Sequence, residues 1–137
     1  MYLNGDVRFP VKVGPSNIHG RGLFAVSGVP ARKKLGALAG QIISRKEGRA
    51  RAKKQKTISI VELWNGKSLD ATQSNELRYI NHSCQPNTFM RTIGFHVEFY
   101  TLKEVKPGEE FTCDYGETHH EGSMKCNCGV PGCKGLL

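Results

Sequence analysis

The sequence predicts a mostly β domain with a single helix, and three observations carry that prediction. Short apolar runs recur with period-two alternation and are separated by turn signals rich in Gly, Pro and Asn. One Asn-Gly pair, Asn65-Gly66, sits between two such runs, which is the strongest short-range hairpin signal. Only one segment, the stretch after Ser44, has a clear helix start. A chain of 137 residues fits one core and leaves no length for a second module.

Taken in order, Phe9, Val11 and Val13 alternate with polar or turn-forming neighbours, which predicts a short strand, and Pro10 pushes it towards an edge position. Gly14 to Asn17 supplies a turn before His19 to Val26, where Gly20 and Gly22 lead into an apolar run. Glycines there remove side chains that would hold a ligand away from the backbone, although a Gly-x-Gly by itself is more often only a turn. Leu35 to Ile43 reads as one apolar strand. Ser44 and Glu47 stand in the S-x-x-E relation of a capping box, so a helix is predicted from Arg45 to about Lys56. Thr57 to Leu63 and Lys67 to Asp70 form the hairpin around Asn65-Gly66, with Trp64 at its tip read as a packing residue. Ser74 to Ile80 is expected to be a short helical turn. Thr88 to Ile93 and Phe95 to Thr101 pair around Gly94, with Phe95, Val97 and Phe99 on one face, and Phe111 to Tyr115 is the last strand.

The net charge of +8 is unevenly spread. Residues 1–60 carry thirteen Lys and Arg against Asp6 and Glu47, a balance of +11, whereas residues 61–137 come to −3. A lysine-rich peptide approaches the second half more readily. The predicted helix concentrates Arg45, Lys46, Arg49, Arg51, Lys53, Lys54 and Lys56 against one acid, Glu47. Such a face is either simply solvated or a phosphate-contacting arm; nothing in it reads bases, so residues 45–56 point at most to non-specific nucleic-acid contact. No apolar run reaches the roughly 18 to 20 residues needed to span a bilayer, and no signal peptide is evident, so an intracellular protein without membrane contact is expected. In that setting, five cysteines with three inside eight residues point to metal rather than disulfides.

Cys126, Cys128 and Cys133, spaced C-x-C-x4-C, place three thiolates within reach of one ion, and zinc suits thiolates in a tetrahedral site. Three ligands leave one position to fill, for which Cys84, Cys113, His119 and His120 are candidates. Arg78 to Asn87, RYINHSCQPN, crowds Asn81, His82 and Cys84 into one short window; on residue types alone His82 is either a turn residue or a base, since histidine titrates near neutrality. GEEFTCDYG, Gly108 to Gly116, follows, and then CNCGVPGC from Cys126 to Cys133.

These three motifs, in this order, resemble the SET-domain protein-lysine methyltransferases that carry a post-SET zinc cluster, and the likeness runs from about Phe9 to the last residue. The resemblance implies a fold of several small sheets with a C-terminal pseudoknot, the last strand passing beneath the loop of the Asn-His stretch, and a division into a SET domain at 1–117 and a post-SET segment at 118–137. It implies S-adenosylmethionine as cofactor, leaving as S-adenosylhomocysteine, with Gly20, Arg21 and Gly22 meeting its methionine part through the backbone. Asn81 would hold the methionine end, His82 the adenine through its backbone, Arg78 would assist, and Leu136 with Leu137 would lie near the adenine. Tyr115 matches the active-site tyrosine, which orients the lysine amine beside the transferring methyl. Of the four candidates, the resemblance selects Cys84 to join Cys126, Cys128 and Cys133 on zinc, a closed and therefore structural site.

The chain departs from the family at Ala37-Leu38-Ala39-Gly40-Gln41, where many members have Glu-Tyr-x-Gly-Glu, so an aromatic wall of the lysine channel is replaced at Leu38. Cys113, two residues from Tyr115 and on the same face of a strand, would also line that channel. Cysteine is smaller than the Phe or Tyr usual there, which implies room for di- and trimethylation. The implied substrate is a lysine-bearing protein, a histone tail first, acted on by a monomer in the nucleus if the source is eukaryotic or the cytoplasm if bacterial. The competing readings are a catalytically weak zinc-stabilised module docking on nucleic acid or chromatin, and a basic zinc-finger-like protein; the second leaves Gly20 to Gly22 and the Asn-His stretch unexplained.

Overall fold

The computed structural model describes residues 1–55, 59–64, 66–114 and Cys133. Twelve strands, one α-helix and one 3-10 turn appear among them, as β1 (Tyr2–Leu3), β2 (Asp6–Val7), β3 (Val11–Pro15), β4 (Arg21–Ala25), β5 (Lys34–Ala37), β6 (Gly40–Ser44), α1 (Arg45–Lys54), β7 (Ile60–Glu62), β8 (Lys67–Asp70), β9 (Asn81–His82), β10 (Thr88–Ile93), β11 (His96–Thr101) and β12 (Glu110–Cys113), with the 3-10 turn at Glu76–Tyr79. The predicted mostly β class with one helix is what the chain adopts.

The strands form two sheets. A four-stranded sheet runs β1-β6-β8-β7, and a larger one runs β2-β5-β11-β10-β12-β4-β3 with β9 also on β12. Val11–Pro15 occupies the edge that Pro10 implied. The β10–β11 hairpin pairs from Thr88↔Thr101 to Ile93↔His96 around Gly94, as read from the sequence. Between the sheets lies one core, in which Leu23, Val29, Leu35, Leu69, Val97, Val105 and Phe111 are fully buried.

Leu35 to Ile43 is not one strand. It divides into β5, which pairs β11 and β2, and β6, which pairs β1 and β8. The chain crosses from one sheet to the other through buried Leu38 and Ala39, where the Leu38 N–H donates to the Val97 carbonyl at 2.9 Å. Both strands and the crossing are apolar, so hydrophobic pattern alone reads them as continuous.

The helix begins where the capping signal placed it and ends two residues early, at Lys54. Ser44 Oγ accepts from the Glu47 N–H at 3.1 Å, while the Glu47 carboxylate turns to Arg51 one turn on, at 3.0 Å. Buried Gly48 and Ala52 set α1 down on β7 and β8. The β7–β8 pair gives the expected hairpin, with Lys56 to Ile58 and Asn65 outside the described residues. Trp64 does not pack: it is 74% exposed. The tight hairpin holds its own backbone, through Leu63 N–H to Lys67 O at 2.8 Å, and points the indole to solvent. No helix among the described residues is long and apolar enough to cross a membrane.

One topological feature positions the site. β12 pairs in parallel with β9 (Thr112↔Asn81, Cys113↔His82) and with β10 (Thr88↔Cys113), and antiparallel with β4 (Phe111↔Leu23). Successive residues of a strand present their hydrogen-bonding groups to opposite edges. Cys113 O accepts from the Ser83 N–H on the β4 side, whereas Thr112 N–H and Glu110 O face Asn87 and the Thr112 carbonyl faces Thr88 on the other. Residues 83–87 therefore arch across β12 from one edge to the other, and the last described strand runs beneath them, the arrangement expected of the pseudoknot.

Candidate active site and metal centre

The turn at 16–20 closes through Ser16 N–H to Gly20 O at 2.9 Å, with Gly20 in the left-handed region at φ +44°. Gly22 follows on β4, where a Cβ would lie 2.2 Å from Glu110 Oε2 and 3.0 Å from the Ser16 Cβ. Only glycine leaves room for that carboxylate. Glu110 accepts the Ser16 hydroxyl on both oxygens, at 2.9 and 2.8 Å, and Ser16 Oγ accepts the Ile18 N–H at 3.0 Å, which shapes the loop from within.

Asn81 enters the same cluster from β9. Its Nδ2 lies 3.0 Å from His19 O, Arg21 O and Glu110 Oε2, and 3.2 Å from Ser16 Oγ, so the amide N–H groups are shared among four acceptors. Asn81 is 7% exposed. One buried amide thus clasps both carbonyls flanking Gly20 and ties the glycine loop to β12. The Glu110 carboxyl oxygens between them take hydrogen bonds from both Ser16 and Asn81.

Asn87 fastens β12 from the opposite edge. Its Oδ1 accepts from the Thr112 N–H at 2.8 Å and its Nδ2 donates to Glu110 O at 2.9 Å, so a side chain takes the place of a strand partner in a buried position. Ser16, Asn87 and Glu110 were not singled out in the sequence. The signal for Glu110 was present in the second acid of Gly108-Glu109-Glu110, a residue two positions from Thr112 that a turn reading leaves solvated.

His82, 4% exposed, holds Nε2 3.5 Å from Cys84 Sγ and Nδ1 3.7 Å from Asp114 Oδ1. Cys84 Sγ lies 3.9 Å from Cys133 Sγ, and neither cysteine is in a disulfide. Two thiolates bound about 2.3 Å from one tetrahedral zinc sit about 3.8 Å apart, so the pair fits a shared ion. Among the described residues no group of three metal-ligating side chains converges; Cys126 and Cys128 lie outside them, as do Tyr115 and Leu136.

Arg78 does not join the Asn81 cluster. The 3-10 turn directs its guanidinium to Thr72 O and the Tyr79 hydroxyl, with Cζ 4.5 Å over the Tyr79 ring. Leu38 and Cys113 are 4% and 1% exposed and belong to one apolar cluster with Leu77 and Ile80. Burial pushes the Cys113 thiol up to about 11, so it is neutral near pH 7 and behaves as a small apolar group.

Residues 20–116 match the SET domain family. The chain belongs to that family. Its SET-domain relatives include the H3 lysine-4 specific histone-lysine N-methyltransferase of Candida albicans, 30% identical over 141 residues that cover 93% of this chain and 14% of the relative. Histone-lysine N-methyltransferase 2B of Homo sapiens is 33% identical over 147 residues, covering 99% of this chain and 5% of its own length. Histone-lysine N-methyltransferase SETD2 of Mus musculus is 36% identical over 129 residues, covering 86% and 5%. The SET-domain chain described here therefore spans a small part of the relatives it matches.

Proposed function

We propose that the chain is an S-adenosylmethionine-dependent protein-lysine N-methyltransferase acting on a histone tail or another basic protein tail. The observation that carries the reading is the Asn81 clasp, in which a buried amide and Glu110 hold the Gly20 to Gly22 segment, exposed at Gly20 and Arg21 and buried at Gly22, against the strand that precedes Tyr115 in the sequence. The backbone of Gly20, Arg21 and Gly22 would hold the methionine part of the cofactor and the His82 backbone its adenine, with Leu136 covering it. Bound there, the cofactor supplies an electrophilic methyl group. Tyr115 would orient the incoming amine for in-line attack. A lysine titrates near roughly 10.4 in water, and burial of the amine in a narrow channel favours the neutral form that attacks.

Cys84, Cys126, Cys128 and Cys133 would hold one structural zinc ion, joining the segment 118–137 to the domain at 1–117. The separation of the Cys84 and Cys133 sulfurs supports that ligand set. Buried, uncharged Cys113 and the aliphatic Leu38 leave more room than two aromatic rings would, which supports progression to di- and trimethyl-lysine. The exposed cations of residues 45–56 would contact nucleic-acid phosphates without reading sequence. A monomer working in a nucleus, or in the cytoplasm of a bacterial cell, suits this chemistry.

Incubation with labelled cofactor and a panel of histones and basic proteins, followed by mass spectrometry, tests the activity. Tyr115→Phe is expected to abolish transfer while cofactor binding persists, and Cys113→Tyr to shift products towards monomethyl-lysine. Cofactor binding with no protein modified by the parent chain would favour the catalytically weak docking module instead. For the metal, one zinc per chain is expected, and Cys84→Ser should lower both zinc content and thermal stability; unchanged values for both would overturn the ligand set.

A further inference from the structure

Trp64 is the most exposed large apolar side chain among the described residues, at 74%. It projects from a turn that is fixed to α1 at two points, by Arg45 Nη2 donating to Leu63 O and by the Arg45 N–H donating to Gly66 O at 3.1 Å. Arg45 is also the first residue of an open groove of about 590 Å³ along α1, lined by Arg45, Lys46, Arg49, Ala50, Lys53 and Lys54. The turn that carries the exposed indole is therefore tethered to the residue at one end of this basic groove.

The cations of α1 divide into two sets. Arg51 faces the four-stranded sheet, bonded to Glu47, Gln41 and Asp70, and Arg45 and Arg49 share Glu62 at 3.5 and 2.9 Å. Lys46, Lys53 and Lys54 have no carboxylate within ion-pair distance among the described residues. Lys46 and Lys53 are two helical turns apart, so they stand on one face about 10 Å from each other along the axis.

We propose that this face binds single-stranded nucleic acid, the Trp64 ring stacking on an unpaired base while Lys46, Arg49, Lys53 and Lys54 track the backbone phosphates. It deepens the phosphate contact proposed above and rests on it, independently of methyl transfer. A cationic groove ending in a free aromatic face is how sequence-tolerant single-strand binders are built, because every base has a face to stack and every nucleotide a phosphate. A duplex offers the phosphates but keeps its base faces covered. A membrane surface fits poorly, since the apolar residues of α1 are alanines and amphipathic membrane helices need large apolar side chains.

Trp64 is the only tryptophan in the chain, so its fluorescence reports this one position. The full chain is titrated with an oligothymidine, the matching duplex, and vesicles of phosphatidylserine. Quenching by the oligothymidine, tighter binding of it than of the duplex, and a loss of about tenfold in Trp64→Ala with an unchanged salt slope are expected. The pair Lys46→Glu and Lys53→Glu should instead give a shallower salt slope with quenching retained at saturation. Methyl transfer to a short peptide should be unaltered in both the Trp64→Ala variant and the double Lys46→Glu, Lys53→Glu variant. Binding without quenching would overturn the stacking and leave the phosphate contact. No binding to either nucleic acid would overturn both, and a spectral change with vesicles alone would assign the surface to lipid.

Discussion

The crossing at β12 and the helix α1 use polar side chains in opposite ways. At the crossing, Glu110, Asn81 and Asn87 turn inward, and each satisfies backbone or hydroxyl groups that the arch has removed from water. On α1 the charges turn outward, and those that are paired meet carboxylates at its margins, Glu62 on one side and Asp70 on the other. Exposed ion pairs contribute about 0 to 1 kcal/mol each, whereas a buried donor or acceptor left without its partner costs about 1 to 3 kcal/mol. A few hydrogen bonds at the crossing therefore outweigh the whole charge array of the helix in holding the fold, and the helix is free to serve a surface role.

The largest effect is expected from Asn87→Ala, which strands Thr112 N–H and Glu110 O in the interior. A loss of about 3 kcal/mol follows from two unpaired buried groups, read by denaturant titration. A change below about 0.5 kcal/mol would show that water replaces the side chain and that the crossing is no more demanding than the surface. Glu110→Gln comes next, and it should act on binding more than on stability. The amide has a single acceptor oxygen where the carboxylate has two, so Ser16 and Asn81 compete for it and the Gly20 loop loosens. Calorimetry should show cofactor affinity about tenfold weaker, the effect of roughly one charge-assisted hydrogen bond. Affinity equal to that of the parent would remove Glu110 from the site.

The smallest effect belongs to the helix margin. Asp70 is desolvated, which raises its pKa, but the Thr72 hydroxyl and N–H and the Arg51 guanidinium more than offset this and hold it below the ordinary carboxylate range. A carboxyl whose folded pKa is lowered contributes stability above its unfolded value, near 3.8, and that contribution is lost as pH falls through the folded value. Thermal midpoints should thus decline on acidification below about pH 4, and Asp70→Asn should flatten part of that decline. An identical acid limb in parent and variant would mean that Asp70 is held no differently in the folded and unfolded chains.

The motifs picked out candidate residues in the sequence, but not the contacts among them. Asn81 and the Gly20 loop could be matched because their residue types are distinctive; the clasp between them runs through Glu110, whose neighbours make it look like one acid of an exposed turn. Arg78 sits three residues from Asn81, yet the 3-10 turn ends at Tyr79 and Asn81 already lies on β9, so no single helical repeat relates the two side chains and they meet different partners. Alternation located β10 and β11 because each has one wet face, and it failed between Leu35 and Ile43, where burial on both sides of the sheet change erases the period. Trp64 was expected to pack because tryptophan usually does; its exposure depends on a turn whose direction no composition encodes.

The arch across β12 also carries a consequence for the order of synthesis. Residues 16–22 and 81–87 leave the ribosome well before Glu110, so neither the Glu110 bonds that brace the clasp nor the support under the arch exist until β12, the last described strand, has been made and drawn beneath it. Until then Asn81 has three of its four acceptors, lacking Glu110, and Asn87 has neither of its partners on β12. Closing this assembly joins contacts 23 to 94 residues apart, a late step whose longest contact is of the non-local kind that sets slow folding rates. The nascent chain thereby completes the support of its glycine loop only when β12 arrives.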